Sequence, residues 1–95
     1  MKQFSYQIED PNGLHARPAG QLVSVAKRYA CAVRVRLGEK EVDGKRLLAM
    51  MSLGALHGSE LRFTLDGTDE DEAARALEAA CRALGQQGVK NGEKQ

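Results

Sequence analysis

Phe4, Tyr6 and Ile8 alternate with Gln3, Ser5 and Gln7, and the same two-residue period returns at Val33, Val35 and Leu37 and again at Leu61, Phe63 and Leu65. Between these runs the period changes. Ala19, Leu22, Val23, Ala26 and Ala30 recur at helical spacing, as do Ala73, Ala74, Leu77, Ala80, Cys81 and Leu84. Period two gives a strand one dry face and period 3.6 gives a helix one dry stripe. A chain that switches repeatedly between the two must hide half-apolar strands and half-apolar helices against each other. Helices laid on one side of a single sheet do this most economically.

In chain order, the first strand spans Lys2 to Ile8 and ends in the turn-rich run Asp10-Pro11-Asn12-Gly13. An amphipathic helix is expected from about residue 16 to 29. Pro18 lies in its first turn, where a missing N–H costs little, and either His15 or Arg17 caps it, with His15 preferred. Cys31 to Leu37 and Glu41 to Asp43 form a hairpin around Gly38-Glu39-Lys40. A short helix covers Arg46 to Leu53, and Gly54 ends it. Glu60 to Asp66 is the fourth strand. Thr68 then offers a hydroxyl cap with Asp71 three residues on, starting a helix that runs to about Leu84 and stops at Gly85. The polar tail 86–95 has almost nothing to bury and is expected to be disordered, leaving one domain over 1–85. The class is α+β, with element order β-α-β-β-α-β-α and a four-stranded antiparallel or mixed sheet.

Bulk properties exclude several functions. Fourteen basic and thirteen acidic residues give a net charge of +1, which argues against binding nucleic acid through general phosphate neutralisation. Apolar runs fall well short of the roughly 18 residues of a membrane span, and no signal-peptide pattern opens the chain, so a cytoplasmic protein is expected. Cys31 and Cys81 lack metal or redox spacing and read as small buried hydrophobes. His57, in a His57-Gly58 turn with only Glu60 as a nearby co-ligand, reads as a turn residue, and neither a metal nor a cofactor is expected. With 95 residues there is little room for a walled active-site cavity.

The chemistry concentrates in Asn12-Gly13-Leu14-His15-Ala16-Arg17-Pro18-Ala19-Gly20. A helix N-terminus offers unpaired N–H groups and a positive dipole end, which favour a neutral imidazole and an anion arriving on it. Arg17, two positions on, can reach phosphoryl oxygens with its planar fork. No serine sits in a nucleophile-elbow context, and no glycine-rich nucleotide motif is present. The stretch therefore combines a nitrogen nucleophile with an anion cradle.

A second informative stretch is Arg46 to Leu53. Leu47, Leu48, Met50, Met51 and Leu53 ring a short helix more fully than one buried face requires. Either all five are core, or Met50 and Leu53 point inward while Leu47, Leu48 and Met51 form an exposed patch of the kind that marks partner surfaces.

Residues 12–19 and the segment Gly44-Lys45-Arg46-Leu47-Leu48-Ala49-Met50-Met51-Ser52-Leu53-Gly54 resemble HPr, the histidine phosphocarrier family of the bacterial phosphoenolpyruvate:sugar phosphotransferase system. The similarity spans about residues 1 to 85. It implies an open-faced β-sandwich, with four antiparallel strands covered on one side by three helices. It also implies that His15 accepts a phosphoryl group at a ring nitrogen from phospho-enzyme I, itself charged by phosphoenolpyruvate, and passes it to enzyme IIA domains. By the same resemblance, Arg17 steadies the phosphoryl group, and the backbone N–H groups of Ala16 and Arg17 cap it. Leu47, Leu48 and Met51, with Gly20, Ser24, Lys27 and Arg46, would form the surface for these transient partners on a monomer. Gly20 stands where the family often has alanine. Arg46 stands where many members carry a regulatory serine, so that switch is absent, and a hydroxyl cap worth ~1 kcal/mol is lost with it. Two other readings share the pattern: an HPr-like regulatory module or nitrogen-branch carrier, and a ferredoxin-like RNA-binding domain. The RNA reading lacks exposed sheet aromatics for base stacking.

Overall fold

The computed structural model describes the backbone of residues 1–93 and the side chains of 1–85. The elements run β1 (Lys2–Gln7), α1 (Ala16–Ala26), β2 (Ala32–Leu37), β3 (Lys40–Asp43), α2 (Leu47–Met51), β4 (Glu60–Asp66) and α3 (Glu70–Glu93). The strands form one sheet in the order β1-β4-β2-β3, and every pairing is antiparallel, which resolves the antiparallel-or-mixed alternative.

The two-residue alternation sets the faces. Val33, Val35, Leu61, Phe63 and Leu65 are buried toward the helices. On the opposite face Gln3, Ser5, Arg34, Arg36 and Arg62 are exposed. The core is a single cluster joining these strand residues to Ala19, Leu22, Val23 and Ala26 of α1, Met50 of α2, and Ala73, Ala74, Leu77 and Cys81 of α3. Each fully buried large side chain contributes roughly 1.5–3 kcal/mol. Phe4 stacks on Phe63, its register partner, with ring centroids 4.6 Å apart. That aromatic pair lies on the helix-covered face and leaves the open face without a base-stacking platform.

Three local expectations need correction. The first helix ends at Ala26 rather than near residue 29. Its last turn tightens, with Arg28 N–H on Val25 O and Tyr29 N–H on Ala26 O, and Ala30 lies exposed beyond it. Thr68 does not cap α3. The helix starts one residue after Asp69, whose carbonyl accepts from Ala73 N–H at 2.9 Å, and Glu70 reaches back to Gly67 N–H at 3.0 Å. The Asp69 carboxylate instead crosses to the α1–β2 connection, accepting from Ala30 N–H at 2.8 Å and Cys31 N–H at 2.9 Å. Finally, α3 runs on past Gly85, at which a stop was expected. The expected disorder of 86–95 falls outside the residues whose side chains are described.

Both cysteines are buried free thiols, and burial pushes the Cys81 thiol up to about 12. No described helix is long and apolar enough to cross a membrane.

Candidate functional site

The site begins with the turn between β1 and α1. Gly13 N–H donates to Asp10 O at 2.9 Å, closing the turn, while the Asp10 side chain folds back so that Oδ1 accepts from Asn12 N–H at 2.8 Å. Gly13 has φ +73°, and a Cβ there would lie 2.5 Å from the Ala55 carbonyl oxygen. That same oxygen accepts from Leu14 N–H at 3.0 Å, which seats the turn against the segment between α2 and β4. Leu14 then anchors in the core.

This anchoring delivers His15 to the helix N-cap, as preferred from the sequence. Its backbone is extended (φ −91°, ψ −172°), and its carbonyl accepts from Ala19 N–H at 3.0 Å. The imidazole makes no capping bond and stays available. Ala16 and Arg17 are the first two helical residues. Among the hydrogen bonds of the described residues their N–H groups have no acceptor, and Pro18, next in line, has none to offer. Two N–H donors and the positive end of α1 therefore face the space beside the ring. The Arg17 guanidinium is exposed and makes no ion pair with the described residues.

The ring has one partner that sequence reading missed. His15 Nε2 lies 3.1 Å from Asp10 Oδ2, with both side chains partly exposed. The Asn12 N–H, and then the histidine contact, hold the Asp10 carboxyl below the ordinary carboxylate range. The five-residue spacing gave no periodic signal; only the fold-back of the turn closes the pair.

The apolar residues of α2 divide as the exposed-patch reading required. Met50 and Leu53 are buried, whereas Leu48 is 81% exposed, Leu47 40% and Met51 37%. Leu56, 68% exposed, lies beside the His15 turn and was not anticipated. α1 packs against both α2 and α3; Ser24 is exposed on the groove that α1 shares with Ala80 and Ala83 of α3, and Lys27, the C-cap of α1, is exposed. A Cβ on Gly20 would meet nothing, so the position has room for the alanine common in the resembled family. Arg46 is the N-cap of α2 and makes no side-chain capping bond. Lys40 Nζ compensates at the other end, donating to Ser52 O at 2.6 Å, where a cation suits the helix dipole. An open groove of about 480 Å³ runs from Arg17 past Gly20 and Ser24 to Arg28. His57 lies exposed in its turn, and no group of three metal-ligating side chains occurs among the described residues.

The family model described as the PTS HPr component phosphorylation site matches residues 2–83. The phosphocarrier protein HPr of Pseudomonas aeruginosa is 52% identical over 78 residues, covering 81% of this chain and 87% of the relative. A solved Mycoplasma histidine-containing phosphocarrier protein superposes with a TM-score of 0.86 at 30% identity, covering 88% of this chain and 96% of that one. An HPr dimer from Thermoanaerobacter tengcongensis superposes with a TM-score of 0.70 at 34% identity, covering 87% and 95%.

Proposed function

The chain belongs to the HPr family of histidine phosphocarriers, and from that premise we propose that His15 is its phosphoryl acceptor and Arg17 the side chain that steadies the group in transit. The protein is a carrier of the phosphotransferase system, moving a phosphoryl group from enzyme I to enzyme IIA domains rather than acting as a stand-alone enzyme. The observation that carries the assignment of His15 is its place at the N-cap of α1, with the open N–H groups of Ala16 and Arg17 beside it. A phosphorylated imidazole places negative charge where those donors and the helix dipole stabilise it. Exposure of the site then follows from its use, because each partner must supply the other half.

Leu47, Leu48 and Met51 form the apolar centre of the docking surface in this reading, with Gly20, Ser24, Lys27 and Arg46 at its margin. Exposed leucines flanked by basic residues suit partners that present an apolar socket with an acidic rim. With arginine at position 46 there is no hydroxyl for a kinase at the head of α2, so control rests with the partners. In this reading the working unit is a monomer in a cytoplasmic setting.

The test is incubation with phosphoenolpyruvate and purified enzyme I. Acid-labile phosphate should appear on the wild-type chain and vanish in His15→Ala. Labelling that survives in His15→Ala would sink the assignment.

A further inference from the structure

We propose that Asp10 is a positioning residue for phosphoryl transfer: its carboxylate holds the His15 ring with hydrogen on Nε2 and the lone pair on Nδ1. The inference rests on His15 being the acceptor and adds a residue to that site. A carboxylate can only accept, so the contact between Asp10 Oδ2 and His15 Nε2 at 3.1 Å requires the hydrogen to sit on Nε2. Asp10 is itself held, since its other oxygen accepts from Asn12 N–H at 2.8 Å and its carbonyl from Gly13 N–H at 2.9 Å. The turn thus fixes the carboxylate, and the carboxylate fixes the ring.

The consequence covers the whole transfer cycle. The Nδ1 lone pair forms the N–P bond while the bond from phosphorus to its atom on enzyme I breaks, and that electron pair stays with enzyme I. The ring, still carrying hydrogen on Nε2, becomes a cation, and the Asp10 carboxylate is its counter-charge. On delivery to an enzyme IIA domain the N–P bond breaks and its electrons return to Nδ1. No proton enters or leaves Nε2 in either step. Asp10 stabilises the cationic phospho-imidazole and keeps the ring oriented, while the open N–H groups of Ala16 and Arg17 meet the phosphoryl oxygens.

The discriminating variant is Asp10→Asn. Its amide oxygen still accepts from Asn12 N–H, so the turn is retained, but its NH₂ then faces Nε2 and favours the opposite tautomer. In protein labelled with ¹⁵N-histidine, long-range ¹H–¹⁵N spectra at neutral pH should show Nε2 protonated in the wild type and hydrogen moved toward Nδ1 in Asp10→Asn. The kcat for acceptance from phospho-enzyme I should fall about ten-fold with KM unchanged, a modest figure because the pair is partly exposed. Asp10→Glu should recover part of the loss. An unchanged tautomer and unchanged kcat in Asp10→Asn would overturn the proposal while His15→Ala remained inactive. Labelling of His15→Ala would instead overturn the reading beneath it. Should Asp10→Asn fail to fold, Asp10→Ser takes its place, since its hydroxyl can still accept from Asn12 N–H but brings no carboxylate to the ring: a tautomer moved off Nε2 with lowered kcat supports positioning, and a wild-type tautomer with wild-type kcat refutes it.

Discussion

Gly13→Ala should destabilise the protein through two separable effects. Gly13 has φ +73°, in the left-handed region where a Cβ costs roughly 1–2 kcal/mol. The added methyl would also sit 2.5 Å from Ala55 O and 3.0 Å from the Leu56 Cα, so the turn must lift off and the Leu14 N–H···Ala55 bond stretch or break, a further ~1 kcal/mol. The sum is about 2–3 kcal/mol, or roughly 10–20 °C in Tm for a domain of this size. Gly38 provides the control. Its φ is +62°, but a Cβ there meets nothing within 4 Å, so Gly38→Ala carries only the backbone penalty. Both substitutions narrow the unfolded ensemble equally, and that gain cancels in the comparison. Urea titrations of the two variants by circular dichroism should show Gly13→Ala less stable than Gly38→Ala by about 1 kcal/mol, with equal m-values. Equal midpoints would refute the claim that the turn bearing His15 is seated against the Ala55 carbonyl.

Two further outcomes follow from the surface and from the start of α3. Leu48→Ala removes an 81%-exposed side chain, so its melt should match the wild type within about 0.5 kcal/mol while affinity for enzyme I drops about ten-fold; titration calorimetry giving an unchanged Kd would remove Leu48 from the interface. The Asp69 carboxyl is held below its ordinary 3.8 by the N–H of Ala30 and then that of Cys31. A lowered folded pKa means its stabilisation is complete above the ordinary value and disappears as pH falls through the lowered one. Asp69→Asn should therefore be less stable than the wild type at neutral pH and lose less on acidification below about pH 4; parallel stability curves for the two proteins would contradict this account.

Strand faces were legible because one side of the sheet is covered and the other is wet, so the alternation of Phe4, Tyr6 and Ile8, or of Leu61, Phe63 and Leu65, admits one register of faces. The helix start at His15 was legible for a similar reason, since Gly13 and Pro18 bracket where a helix can begin. Strand order was not, because nothing local distinguishes β4 as the partner of both β1 and β2. The end of α1 carries no glycine or proline. The segment after it is held by groups far along the chain, with Lys45 Nζ on Tyr29 O and Asp69 on Ala30 and Cys31. Asp69 also explains why Thr68 was misread as a cap: the local motif was present, but a distant pair of N–H groups captured the carboxylate. At the site, His15 and Arg17 stood out by residue type, whereas Asp10 looked like ordinary turn chemistry until the backbone brought its second oxygen to the ring.

The ties from the His15 turn to the far side of the chain also govern biosynthesis. β1 finds its hydrogen-bonding partner only in β4, Ile8 N–H donates to Ser59 O, and Leu14 N–H waits for the Ala55 carbonyl. The chain emerges from its N-terminus, so the His15 signature is free before the segments that support it have emerged. High contact order of this kind defers assembly to the end of synthesis. A nascent chain broken off before Ala55 carries the full motif but lacks the carbonyl on which Leu14 N–H seats the turn.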